Sequence, residues 1–206
     1  MTDRFDAELR RRVSTHLARF ERRLHDGEEL RAAGVAVTLI ADEEGEPCFV
    51  ITRRASGLRK HAGQWALPGG RVDAGEDATA AALRELREEV GLELPPESVL
   101  GQLDDYPTRS GFVITPVVMW AEAGSLTPNP DEVDAVFRVR LAELLRPDVP
   151  QVRSIPESDR PVISIPLLGT SIHAPTAAVL YQLREVALYG RSTRVAHFEQ
   201  PVFAWK

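Results

Sequence analysis

The sequence predicts a single α/β domain, and three observations lead there. Segments with helical hydrophobic spacing are separated by short runs rich in β-branched residues. The chain has 206 residues, 43% of them hydrophobic, which suits one globular core. No internal repeat suggests a solenoid or a propeller.

The elements follow in order. Phe5, Leu9, Val13, Leu17, Phe20 and Leu24 recur at helical spacing among charged residues, so a first helix is expected over 5–24. Residues 34–40 and 47–52 read as two strands joined over an acidic turn at 42–46. A helix is expected over 78–90, then strands over 99–106, 112–121 and 133–139, the last leading into a short helix at 141–145. Residues 146–160 hold several prolines and charges and read as a surface excursion. A second long helix is expected over 175–187, with Pro175 in its first turn, where the missing N–H costs little. Residues 191–206 carry no clear pattern. The expected organisation is therefore a helical segment, 1–33, packed on a domain of 34–190, with a tail of 191–206.

Composition narrows the function classes. The net charge is −6, from 25 basic and 31 acidic residues, which argues against broad nucleic-acid binding and gives no membrane-surface signature. No apolar run approaches the roughly 20 residues of a membrane span. The opening MTDRFDAELRRRV lacks a hydrophobic signal segment, so a cytoplasmic protein is expected. The single Cys48 has no cysteine partner within the chain and is expected to be a buried, inert thiol.

The chemistry concentrates between Gly70 and Leu92, GRVDAGEDATAAALRELREEVGL. On a helix, Glu85, Glu88 and Glu89 share one face, while Leu83, Leu86 and Val90, with Thr79, form a stripe toward the core. Like charges at this spacing destabilise a helix by about 0.2–0.5 kcal/mol each, so a hard divalent cation is the expected compensation. An arbitrary acidic face is more often only a solvated surface. Here the rest of the spacing decides: Gly70, Glu76, Arg84, Glu85, Leu86, Glu88, Glu89, Gly91 and Leu92 fit G-x5-E-x7-R-E-U-x-E-E-x-G-U, with U a bulky aliphatic.

This pattern resembles the signature of the Nudix hydrolases. The resemblance implies an α/β/α sandwich with a mixed sheet and a loop–helix–loop catalytic element. It also implies hydrolysis of a diphosphate in a nucleoside diphosphate-linked substrate, with Mg²⁺ or Mn²⁺. By resemblance Glu85, Glu88 and Glu89 are the metal ligands, and Glu76, Arg84 and the three glutamates form the catalytic set. Arg84 and Glu88 are an i, i+4 pair, so the guanidinium is expected to hold a carboxylate in place. Glu76 precedes the helix and is placed to fold back toward it. Gly70 is expected to adopt a backbone conformation closed to other residues, and Gly91 to end the helix. The general base is left open between a glutamate of the motif and a carboxylate from elsewhere.

A second signal lies upstream, in VITRRASGLRKHAGQWALPGG from Val50 to Gly70. Basic residues ahead of an acidic site suit a substrate with further phosphates, although they also keep any surface loop soluble. Thr52, Arg54, Ala55, Arg59, Gly63, Pro68, Gly69, Gly70 and Asp73 match the extra motif of the coenzyme A pyrophosphatase branch, L-L-T-x-R-[SA]-x3-R-x3-G-x3-F-P-G-G-x2-[DE]; Leu67 stands where that pattern has Phe. The stretch 100–118, LGQLDDYPTRSGFVITPVV, is a looser likeness to the segment that follows the box in that branch. The resemblance implies cleavage of coenzyme A to 4′-phosphopantetheine and adenosine 3′,5′-bisphosphate. Arg54, Arg59, His61, Gly69 and Gly70 are then the expected substrate contacts.

Other residues have plainer readings. Trp65 is expected in the core, His173 in a loop, and Asp104 and Asp105 as solvated loop charges. Pro107 falls about where ADP-ribose-cleaving members of the family often carry a proline, so ADP-ribose or dinucleotide hydrolysis is the nearest rival. A catalytically silent ligand sensor is the rival from another class; such domains typically lose glutamates of the motif, and here all four are present. The expected partner is a small nucleotide-like molecule, with no nucleic acid and no membrane, and homodimerisation is left open.

Overall fold

The computed structural model describes residues 4–25, 30–57 and 63–205. Helix α1 (Ala7–Arg19) is followed by strands β1 (Arg31–Ala41), β2 (Pro47–Arg54), β3 (Trp65–Ala66) and β4 (Gly69–Arg71). Then come helix α2 (Ala78–Val90) and strands β5 (Val99–Gln102), β6 (Tyr106–Pro107), β7 (Phe112–Ala121) and β8 (Val133–Arg140). Strands β9 (Gln151–Ile155), β10 (Ser158–Leu167) and β11 (Thr170–His173) precede helix α3 (Thr176–Gln182). No helix among the described residues is long and apolar enough to cross a membrane.

The main sheet is mixed. β1 lies between β2, antiparallel, and β7, parallel, with the outer order β3–β2–β1–β7–β5 and with β4, β6 and β8 attached to β1, β7 and β2. Both faces are covered, which explains why its central strands read as nearly continuous apolar runs. Alternation sorts the residues: Ala36, Ile40, Cys48, Val50, Val117 and Met119 meet Leu86 and Val90 of α2. Val37, Leu39, Phe49, Ile51, Val118 and Trp120 point the other way, into a core shared with α1, α3 and the second sheet. The result is a helix–sheet–helix sandwich, as expected.

Several boundaries differ from the sequence reading. The first helix starts at an Asp6 cap, whose carboxylate accepts from the N–H groups of Glu8 and Leu9, and it ends at Phe20, where the chain becomes extended. Leu24, the last member of the helical pattern, is therefore an exposed side chain. The expected strand 99–106 splits into β5 and β6, with Leu103, Asp104 and Asp105 between them. Residues 146–160 hold β9 and the start of β10, part of a three-stranded antiparallel sheet, β11–β10–β9. Pro150 and Pro156 bracket β9 and made that stretch read as a loop. The last helix widens into π-helical turns over Leu183–Leu188.

The tail is also organised. Val195 and Phe198 join the main core, and the buried Glu199 carboxylate pairs with Arg109 at 2.5 Å. Asp104 and Asp105 are not solvated charges. Asp104 accepts from Gln182 Nε2, Arg194 and the Arg23 N–H, and Asp105 accepts from Arg22, Thr115 and the His25 N–H. All those partners but Thr115 lie far away in sequence, so local pattern could not reveal them. Cys48 is buried, as expected, and burial pushes its thiol up to about 11.

Candidate active site

Helix α2 places the acidic residues. Its N-terminus is capped by Asp77, and it ends at Gly91, whose left-handed backbone (φ 68°) suits glycine. The three glutamates do not share one environment. Glu89 is 3% exposed, Glu85 is half-buried, and Glu88 stands out toward solvent with its side chain 44% exposed. The buried position of Glu89 places it beside the apolar stripe of Leu86 and Val90, at the edge where helix, sheet and loop meet.

Arg84 organises the outer carboxylates. Its guanidinium donates to Glu76 (2.9 and 3.1 Å), Glu85 (2.7 Å) and Glu88 (3.0 Å), and to the Arg71 carbonyl (2.9 Å). Glu76 thus folds back onto α2, and it also accepts from the Asp73 N–H. The guanidinium holds the Glu76 carboxyl below the usual carboxylate range.

Gly70 acts through space rather than conformation. It lies in β4, with no positive φ, opposite Gly34 of β1. A Cβ built on it would come within 2.1 Å of Glu85 Oε1, so only glycine leaves room for that carboxylate.

A carboxylate from outside the helix completes the cluster. Oxygens of Glu85, Glu89 and Glu132 lie within 4.8 Å of one another. Glu132 sits just before β8 on a loop that caps α2: the Thr127 N–H donates to the Val90 carbonyl and the Asn129 N–H to the Glu89 carbonyl, each at 2.9 Å. The Ala55 N–H donates in turn to the Glu132 carbonyl at 2.9 Å. Sequence reasoning missed Glu132 because nothing periodic marks a loop residue that is delivered by helix capping. Glu88, expected as a metal ligand, is not brought into this cluster.

The electrostatics match the crowding. Burial, then the negative charges of Glu85 and Glu132, push the Glu89 carboxyl up to about 8, despite Arg54 at 3.6 Å. Glu85 is also raised, mainly by burial, with Arg84 opposing. Three oxygen donors this close suit a hard divalent cation, which would offset their mutual repulsion.

A cavity of about 410 Å³ adjoins the cluster. Arg54, Gly69 and Gly70 line it, together with Trp65, Phe112 and residues of β11 and the tail. Trp65 is half-buried, 5.1 Å from the Phe137 ring, so it belongs to both core and cavity. His173 is a strand residue, not a loop residue, and it too lines the cavity. Pro107 pairs with Val113 in the β6–β7 ladder. Arg59 and His61, two of the expected substrate contacts, lie outside the described residues.

Comparisons agree with this geometry. Residues 30–158 match the NUDIX domain family. A protein of Yersinia enterocolitica described as an uncharacterized Nudix hydrolase NudL is 35% identical over 152 residues, 71% of this chain and 77% of that one. A NudL protein of Citrobacter koseri is 42% identical over 130 residues, 59% of this chain, and the match spans 64% of that relative's length. Among solved structures, a MutT/nudix family protein from Enterococcus faecalis superposes with a TM-score of 0.55 at 18% identity, covering 81% of this chain and 65% of the other. A Nudix hydrolase from M. smegmatis, RenU, gives 0.51 at 20% identity, covering 80% and 96%.

Proposed function

The chain belongs to the Nudix hydrolase family, and from that premise we propose that it cleaves the diphosphate of coenzyme A or an acyl-coenzyme A. The observation that carries the reading is the meeting of two sequence signals at one place. Arg54 and Gly69, from the upstream motif, line the cavity that adjoins Glu85 and Glu89. We treat residues 34–190 as the hydrolase body, with the described residues of 1–33 and 191–206 packed on it.

Glu85, Glu89 and Glu132 would hold Mg²⁺ or Mn²⁺, which when bound supplies charge neutralisation at the diphosphate and a more acidic water. The chain's own residues do the rest. Arg84 fixes Glu85 in one position against Gly70, so the carboxylate is preorganised. Arg54 offers a guanidinium to phosphate oxygens, where arginine's fork of donors is better matched than lysine. A carboxylate of the cluster accepts the proton of the attacking water. The water oxygen bonds to one phosphorus, the P–O bond to the bridging oxygen breaks, and the two products leave as phosphate monoesters.

The test is a comparison of coenzyme A, 3′-dephospho-coenzyme A, ADP-ribose and NADH by specificity constant, with products read by mass in labelled water. Coenzyme A is expected to lead, to give phosphopantetheine and adenosine 3′,5′-bisphosphate, and to release no inorganic phosphate. Neutralising Arg54 should cut its specificity constant by roughly 10–150-fold, the worth of one charge-assisted hydrogen bond. If ADP-ribose is much the better substrate, the coenzyme A reading fails and the family reading stands.

A further inference from the structure

One wall of the cavity is built by β11 and the tail, from residues beyond the 30–158 family match. Gln200 lines it and is 4% exposed, and its Nε2 is buried with no hydrogen-bond partner among the described residues. His173 lines it as well, and its Nδ1 is likewise buried and unpartnered. Unpaired buried polar atoms are costly, so two on one cavity wall point to a ligand that satisfies them. Ile172, Pro201 and Phe203 give this wall apolar surface beside Ser171, the Phe203 ring standing 5.4 Å from the His173 ring.

We propose that His173, Gln200 and Phe203 form the receptor for the nucleobase of the substrate, an adenine. The inference rests on reading the carboxylate site as a hydrolase of nucleotide-linked diphosphates, and it names where the base goes. A planar heterocycle fits aromatic and apolar walls by stacking, and its edge carries the donors and acceptors that an amide pairs with in bidentate fashion. A pantetheine arm has amides but no flat face to use the rings. Burial lowers the His173 pKa, with Arg153 adding to it, so the imidazole is neutral at pH 7 and keeps one acceptor nitrogen.

The wall is held in place before any ligand arrives. Arg109 binds Glu199 through Nε (3.2 Å) and Nη2 (2.5 Å) and lies over the Trp205 ring at 4.9 Å. Trp205 Nε1 donates to the Gln200 carbonyl at 2.8 Å, and the Gln200 N–H donates to Glu199. These ties use the Gln200 backbone, so its side chain can be replaced without breaking them.

The test is calorimetric binding to the full chain with three uncleavable probes: AMP, ribose 5-phosphate and 4′-phosphopantetheine. Wild-type protein should bind AMP at least tenfold more tightly than ribose 5-phosphate. Gln200→Leu and Phe203→Ala should each weaken AMP by about three- to tenfold, in line with one neutral hydrogen bond or part of a stacking contact, and leave ribose 5-phosphate unchanged. Should Gln200→Leu misfold by circular dichroism, Phe203→Ala, at an exposed ring, carries the same test. Equal binding of AMP and ribose 5-phosphate overturns the proposal. So does a pattern in which the variants weaken phosphopantetheine and spare AMP, which would give this wall to the other half of the substrate. Because no probe is cleaved, either result stands whether or not coenzyme A proves to be the substrate.

Discussion

Glu89 sets a conflict between stability and function that pH exposes. In the unfolded chain its carboxyl ionises near the ordinary 4.5, whereas in the metal-free fold it is pushed up to about 8. Between these values the native state holds a proton that the unfolded state has lost, so stability falls as pH rises, with a limiting slope of about 1.4 kcal/mol per pH unit. Integrated from pH 6.5 to 8, that gives a loss on the order of 1.5 kcal/mol. The window is clean at its lower end, because the lowered His173 acts with opposite sign below 6.5 and the lowered Glu76 and Glu199 titrate below 4.5. Glu85, raised from 4.5, adds to the same trend. The assay is urea unfolding in chelator at half-unit pH steps, for wild type and Glu89→Gln. Wild type should lose stability across the window. The variant should be flatter, and more stable than wild type at pH 8, yet lack turnover. Adding Mg²⁺ at 100 times its dissociation constant should restore about 2.7 kcal/mol to wild type and little to the variant. Wild-type stability that is flat or rising from pH 6.5 to 8 in chelator would refute the reasoning.

Gly70→Ala forces Glu85 aside by about 1 Å, and a misplacement of that size costs roughly 100-fold in turnover, measurable in kcat at saturating substrate. Wild-type kcat in a folded Gly70→Ala protein would show that the Glu85 position is not used. Arg84→Ala frees Glu76, Glu85 and Glu88 together and should lower kcat by about 10–100-fold, with little rescue by lysine, which lacks the fork of donors. Glu132→Gln should weaken Mg²⁺ affinity more than Glu88→Gln does, because only Glu132 lies in the cluster; calorimetric titration reads the order directly, and the reverse order would restore the helix-only ligand set.

What the sequence could show follows from the range of each interaction. Helix α2 was legible because its stripe and its Gly91 terminus are both local. The Arg84–Glu88 pair was legible for the same reason, one helical turn apart. The split among Glu85, Glu88 and Glu89 was not, since burial depends on the sheet and loop that pack against one side of α2. Asp104 looked like a loop charge because Gln182 and Arg194, which satisfy it, are supplied by the far end of the chain. The second sheet was hidden because Pro150 and Pro156 bracket β9, whose mostly exposed residues show no apolar alternation.

Glu132 shows why one part of the site was beyond local reading. A helix leaves its last carbonyls unpaired, and here the loop from Thr127 to Asn129 satisfies those of Glu89 and Val90 with backbone N–H groups. The hydrogen bonds that finish the helix also carry the next residues back over Glu89, so Glu132 arrives beside the cluster through a capping requirement and not through any side-chain pattern. The same contacts tie the geometry of the carboxylates to the integrity of the helix end. A change that loosens the loop, even with every glutamate intact, should therefore separate Glu132 from Glu89 and relieve the crowding that raises the Glu89 pKa. Function and strain at this site share one origin: carboxylates held together by backbone bonds strong enough to keep them where, without a cation, they repel.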